Sequence, residues 1–233
     1  MLGGRDPYVD HSDADSSQNE GEKMKYQSYL FDLDGTLTDP GLGIKNSIRY
    51  ALEQYGLPSL QEGILDCFVG PPLLDSFEQY CHVTREESYR LLSLYREHFS
   101  EKGIYENHLY EGVEETLKEL CEQEARIYLA TSKPEPFAKR ILSHFDIERY
   151  FTFVGGSTME ETRTAKDEVI AYVLSEAKVP VESAVMVGDR VYDIRGGRKN
   201  GLATVGVLYG YGDRAELSEA DHLITAIHEL LLL

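Results

Sequence analysis

Short apolar runs alternate along this chain with segments whose apolar positions recur every three or four residues, and few architectures accept that rhythm. YQSYLF (26–31), RIYLAT (126–131), SAVMV (183–187) and LATVGV (202–207) read as strands. Between them, Val113, Leu117, Leu120 and Cys121 mark one amphipathic helix. Phe137, Ile141, Leu142 and Phe145 mark a second, with Pro134 and Pro136 suited to its first turn. Val169, Ile170, Val173, Leu174 and Ala177 mark a third. Strand, helix, strand in repetition implies a doubly wound, Rossmann-like parallel sheet with helices on both faces, an α/β fold. At 233 residues and 42% hydrophobic, the chain can bury such a core plus one small second unit.

One region interrupts the alternation. Residues 40–106 hold only helical patterns (44–55, 73–80 and 86–100), separated by GLPS and GPP. The expected organisation is therefore an α/β core of 24–39 and 107–233, with 40–106 inserted as a helical cap over the strand ends, where open α/β sheets bind ligands. A plain extra lobe is the alternative. Residues 1–23 are polar and aperiodic, and are expected to be disordered. The EGEK run before Met24 reads as a translated ribosome-binding sequence, so Met24 is the expected natural start.

The first strand runs straight into acid. In DLDGTLTD (32–39), Asp32 and Asp34 lie two apart and leave an extended segment on the same side, and Gly35 permits a tight turn behind them. An isolated acidic turn is commonly a cap or a solvated loop. Here a second one, MVGDRVYD with Asp189 and Asp193, follows another strand. Two strands delivering carboxylates to one sheet edge make a site for a hard cation, and oxygen ligands with open positions suit Mg²⁺.

The motifs DLDGTLTD, LATSKP, TAKDE and VGDRVYD, in that order, resemble the four motifs of the haloacid dehalogenase superfamily. The resemblance covers Met24 to about Tyr211. The insertion after the first motif is similar to that of phosphatases with a small helical cap. GVLYGYG (206–212) and GIYENHLYEGVEETLKEL (103–120) look like phosphoglycolate phosphatase-type members.

The resemblance implies a phosphomonoester hydrolase with Asp32 as nucleophile, forming an aspartyl-phosphate. It implies Mg²⁺ held by Asp32, the Asp34 backbone carbonyl and Asp189, with Asp193 orienting a metal-bound water. Asp34 would serve as general acid and then general base, Thr131 as hydroxyl donor to the phosphoryl group, and Lys166 as its cationic partner. Lys166 is followed by Asp167 where related sequences often carry proline, so Lys133 competes for the cationic role. Gly35, Ser132 and Lys133 are expected near the phosphoryl group, and Gly70 and Pro71 against the leaving group. Arg190 stands where a small residue is common. It is expected to contact phosphate or cap, or to be solvated.

The implied substrate is a small phosphorylated metabolite. 2-Phosphoglycolate comes first by resemblance and a nucleoside 5'-monophosphate second. A phospho-accepting receiver-type signalling domain is the rival of another class. It needs neither the insertion nor an acid beside the nucleophile. The formal net charge of −18 argues against a nucleic acid polymer or an anionic membrane as partner. No apolar run is long enough to span a bilayer. Cys67, Cys81 and Cys121 show no paired spacing and read as reduced thiols, consistent with a cytoplasmic protein. The apolar end, HELLLL, is expected to close a last helix on the core. Nothing in the sequence determines the oligomeric state.

Overall fold

The computed structural model describes residues 25–233; the expectations for residues 1–23 and for a start at Met24 lie outside the described residues. Eight strands follow in chain order: β1 (Ser28–Phe31), β2 (Thr38–Asp39), β3 (His108–Leu109), β4 (Arg126–Pro134), β5 (Phe151–Ser157), β6 (Ala184–Gly188), β7 (Ala203–Val207) and β8 (His222–Ile224). Six of them form one sheet in the order β5-β4-β1-β6-β7-β8. Every pairing in it is parallel.

The central strand explains why these runs are apolar throughout. Tyr29, Leu30 and Phe31 are fully buried, because both faces of a doubly wound sheet are covered. With a side-chain period of two, Tyr29, Phe31, Ile127, Leu129, Val185 and Val187 join one core. That core takes in α5 (Val113–Glu122) and α6 (Glu135–His144). Leu30, Tyr128, Ala130 and Met186 face the other way, onto Val169, Ile170 and Val173 of α7 (Lys166–Ala177). Each such side chain contributes about 1.5–3 kcal/mol on burial.

The expected helices are present, and the insertion contains one more. It comprises α1 (Gly41–Tyr55), α2 (Glu62–Asp66), α3 (Leu73–Cys81) and α4 (Arg85–Glu101). α1 stops at Gly56, whose φ of 84° is the left-handed turn that ends a helix. α4 starts in a reciprocal cap: Glu87 N–H donates to Thr84 Oγ1, and Thr84 N–H donates to Glu87 Oε2. The chain leaves the sheet through β2 and returns through β3. These two pair antiparallel, Thr38 with Leu109 and Asp39 with His108, so a short ribbon carries both crossings.

Several elements go beyond the sequence reading, the short β2, β3 and β8 among them. β5 is not among the runs read as strands from the sequence: only FTFV precedes Gly155 and Gly156. α8 (Val191–Lys199) is likewise unmarked; glycine has low helix propensity, yet Gly196 and Gly197 lie within it and Gly197 packs directly on Thr204 and Met186. The C-terminal end closes on the core as expected, as a 3₁₀ helix, Ile227–Leu232. Ile227 and Leu230 are buried, and Leu231 and Leu233 pack against the core in part, while Leu232 is 83% exposed.

Candidate active site

Asp32 leaves β1 with its N–H still held by the β6 strand, donating to the Val187 carbonyl at 2.9 Å. The chain then turns sharply. The Leu33 carbonyl accepts from the N–H groups of Leu37 and Thr38, and Gly35 N–H donates to the Thr38 carbonyl at 2.7 Å. Gly35 sits at φ +87° with its Cα against the Asp189 carboxylate, where a Cβ would collide. Only glycine lets the two acidic turns approach this closely.

They meet as the spacing required. Carboxylate oxygens of Asp32, Asp189 and Asp193 lie within 4.8 Å of one another, all buried. Lys166, the first residue of α7, reaches into this group from below. Its Nζ is 2.7 Å from Asp32 Oδ1 and 2.9 Å from Asp193 Oδ1, and donates to the Ala130 carbonyl at 3.1 Å. The two carboxylate contacts are ion pairs without hydrogen-bond alignment, so both buried oxygens retain capacity for another positive partner. Asp189 accepts from Tyr211 N–H on Oδ2 (2.9 Å) and from the Thr36 hydroxyl on Oδ1 (3.3 Å).

Lys133 makes a second, separate pair. Its Nζ donates to Asp34 Oδ2 at 2.5 Å and lies 4.7 Å from the centre of the Phe99 ring. The two lysines proposed as competitors thus hold different carboxylates. Asp34 Oδ1 is buried with no hydrogen-bond partner, and Asp34 lines a cavity of about 70 Å³. Asp32, Asp34, Thr131, Ser132 and Lys133 line that cavity from the sheet side, and Gly70 and Pro71 from the insertion. Gly35, Lys166, Asp189 and Asp193 lie beneath it.

Burial raises the Asp34 pKa, and Lys133 only partly counters this. Asp189 is pushed well above the usual carboxylate range, first by burial and then by Asp193 and Asp32. Asp193 is raised to about 6, chiefly by burial, with Lys166 opposing. Burial disfavours the Lys166 charge, yet Asp193 and Asp32 outweigh it and its pKa rises. Three carboxylates against one ammonium leave two excess negative charges if all are ionised, among buried side chains. Oxygen donors, under-satisfied oxygens and that excess together fit a hard divalent cation.

A family model described as haloacid dehalogenase-like hydrolase matches residues 29–207. The chain belongs to this family of hydrolases. Its curated relatives include a 5'-nucleotidase of Pseudomonas aeruginosa, 40% identical over 194 residues that cover 83% of this chain and 88% of that protein. The tyrosine-protein kinase PtkA of Mycobacterium tuberculosis is 36% identical over 87% of this chain and 68% of its own length. A phosphoglycolate phosphatase of Vibrio parahaemolyticus is 28% identical over 86% and 92%. Among solved structures, a predicted phosphatase from Clostridium acetobutylicum superposes with a TM-score of 0.86 at 38% identity, covering 89% of this chain and 99% of that one.

Membership of a hydrolase family sets aside the receiver-type alternative. It also directs attention to residues of this haloacid dehalogenase-like hydrolase that sequence reasoning did not assign. Tyr211 supports Asp189 through its N–H and bonds Asp39 through its hydroxyl, while Tyr209 donates to the Thr36 carbonyl at 2.9 Å. The signal is present in GVLYGYG, where a glycine follows each tyrosine, but from the sequence it is taken only as a likeness. Arg96, paired with Glu161, and the rings of Tyr95, Phe99 and Phe137 also line the cavity. Tyr95, Arg96 and Phe99 share α4 and Phe137 lies in α6, and only the fold brings the two helices to one cavity. Arg190 contacts the insertion, donating to the Val69 carbonyl at 2.6 Å. Among the described residues, Cys67, Cys81 and Cys121 are unpaired, and no helix is long and apolar enough to cross a membrane.

Proposed function

We propose that this hydrolase is a Mg²⁺-dependent phosphomonoesterase that works through an aspartyl-phosphate on Asp32, with residues 40–106 as the cap over its active site. The observation that carries the reading is the pairing of two buried acids with different partners. Asp32 is held against Lys166 and two further carboxylates, while Asp34, two residues later, pairs with Lys133 and lines the cavity. Burial raises the Asp34 pKa against the opposing pull of Lys133, which suits Asp34 to carry a proton to a leaving group.

Asp32 Oδ attacks phosphorus, forming the Asp–O–P bond as the ester P–O bond breaks. Asp34 gives its proton to the departing alkoxide. Asp34, now a carboxylate, takes a proton from a water whose oxygen attacks phosphorus. The Asp–O–P bond breaks, and inorganic phosphate and free Asp32 are left. Thr131 supplies a hydroxyl to a phosphoryl oxygen, with Ser132 next to it. Lys166 holds Asp32 in position, and Lys133 sets the orientation of Asp34. Mg²⁺, held by Asp32, Asp189 and the Asp34 carbonyl with Asp193 beside it, would neutralise phosphoryl charge and let an anionic nucleophile approach.

The cavity, with space for about five waters at ~10–15 Å³ each, suits a small phosphorylated metabolite of the 2-phosphoglycolate class. Its rings, Phe68, Tyr95, Phe99 and Phe137, favour the second reading, a nucleoside 5'-monophosphate whose base would need the cap to shift outward. A cytoplasmic location agrees with this substrate class. Phosphate release from a panel of both ester types and p-nitrophenyl phosphate, with Mg²⁺ and ranked by kcat/KM, tests the proposal. Asp32→Asn should fall below a hundredth of wild-type turnover; a variant keeping a tenth would remove Asp32 as nucleophile.

A further inference from the structure

Arg190 follows Asp189 directly and occupies the N-cap of α8, yet it does not line the cavity. Its side chain, 17% exposed, runs behind the segment 69–72 that does. Nε donates to Glu216 Oε1 at 2.8 Å and Nη1 donates to the Val69 carbonyl at 2.6 Å. Glu216 Oε1 also accepts from Val191 N–H at 2.9 Å, so the carboxylate is fixed to the start of α8. Gly70 lies flat on the arginine: at φ +104°, an added Cβ would stand 3.1 Å from Arg190 Cγ and 3.3 Å from Nη1. The planar guanidinium thus joins an acceptor of the core to an acceptor of the insertion. An ammonium of similar reach could satisfy only one of them well.

Thr131, Ser132 and Lys133 of the core and Gly70, Pro71 and Pro72 of the insertion line one cavity with room for about five waters (~10–15 Å³ each), so making space for a phosphate ester means moving those walls apart. The chain crossings run through the β2–β3 ribbon, which leaves the other contacts between the units free to break and re-form. We propose that Arg190, clamped by Glu216, is a positioning residue that latches segment 69–72 onto the loaded site. The wall over the leaving group would then be held by the same loop that carries Asp189. This rests on the phosphomonoesterase reading for its kinetic consequences, though the contact itself does not.

In Arg190→Ala, KM for p-nitrophenyl phosphate should rise about tenfold, equivalent to about 1.4 kcal/mol. The kcat should change less than threefold. Inhibition by inorganic phosphate should keep its wild-type constant, because the phosphoryl group is held from the core. Guanidinium ion added to Arg190→Ala should recover part of the KM. Arg190→Lys should be intermediate and serves if the alanine variant does not fold. Hydrogen exchange at residues 67–70 and 73–76 should quicken at least fivefold in Arg190→Ala, at a melting temperature close to wild type.

Unchanged KM in a folded variant would overturn the latch. Phosphate inhibition weakened as much as KM would instead make Arg190 a phosphate contact and also overturn it. If wild type hydrolyses no phosphomonoester, the functional reading falls. Exchange at 67–76 still judges the latch in that case, and unchanged exchange removes it.

Discussion

Lys166→Met is the sharpest perturbation of this site, because it removes one charge and little volume. Lys166 is 6% exposed and is the sole cation among the described residues within ion-pair distance of Asp32 and Asp193. Removing one partner of a buried pair costs about 3–5 kcal/mol, since the remaining charge is left in low dielectric. Against a typical total stability of about 5–15 kcal/mol this is a large fraction. For a chain this size, about 2–4 °C in Tm per kcal/mol translates it into a drop of roughly 6–20 °C. A divalent cation bound among the same carboxylates should restore part of the loss. At a hundred times its Kd it adds about 2.7 kcal/mol. Calorimetric or circular-dichroism melts, with EDTA and with 10⁻² M-range MgCl₂ (about that concentration, chosen to exceed Kd), read both effects. The expected result is a lower Tm in EDTA and a larger Mg²⁺-induced rise in the variant than in wild type. A variant melting within 2 °C (roughly the width of a 1 kcal/mol effect) of wild type in EDTA would refute Lys166 as the counter-charge.

Other consequences are simpler. Asp34→Asn should slow both formation and hydrolysis of the aspartyl-phosphate at least a hundredfold (about the usual worth of a general acid). Mg²⁺ affinity by titration calorimetry should stay close to wild type. Lys133→Ala, which frees Asp34 alone, should lower kcat with a smaller Tm loss than Lys166→Met, by the same melts. Thr84→Ala removes the cap of α4 and should cost about 1 kcal/mol in denaturant unfolding. Dialysis against EDTA should abolish turnover, and added Mg²⁺ should restore it.

Much of the site was legible because its chemistry is local. Asp32, Asp34 and Gly35 share one turn, and Asp189 and Asp193 share another, so a pair of short motifs already named the carboxylates. The lysine question was not local. Lys133 lies near the end of β4 and Lys166 opens α7, and only their tertiary positions separate the Asp34 contact from the Asp32 and Asp193 contacts. Arg190 was flagged as a departure from pattern, but its three candidate roles differ only in what lies across from it. That neighbour, the Val69 carbonyl, is 121 positions away.

By itself the sequence determined the layered α/β core, through side-chain periods that local backbone geometry imposes. It likewise determined that acids crowd the exit of β1 and the exit of β6. Tertiary structure alone decided where the glycine-rich stretches belong, because Gly155 in β5 and Gly197 in α8 answer to close neighbours and not to propensity. It also decided which cation serves which acid, and which wall covers the cavity. The physical reason is the same throughout: periodicity and turn chemistry act over a few residues, whereas charge pairing and packing depend on distances that only the folded chain creates.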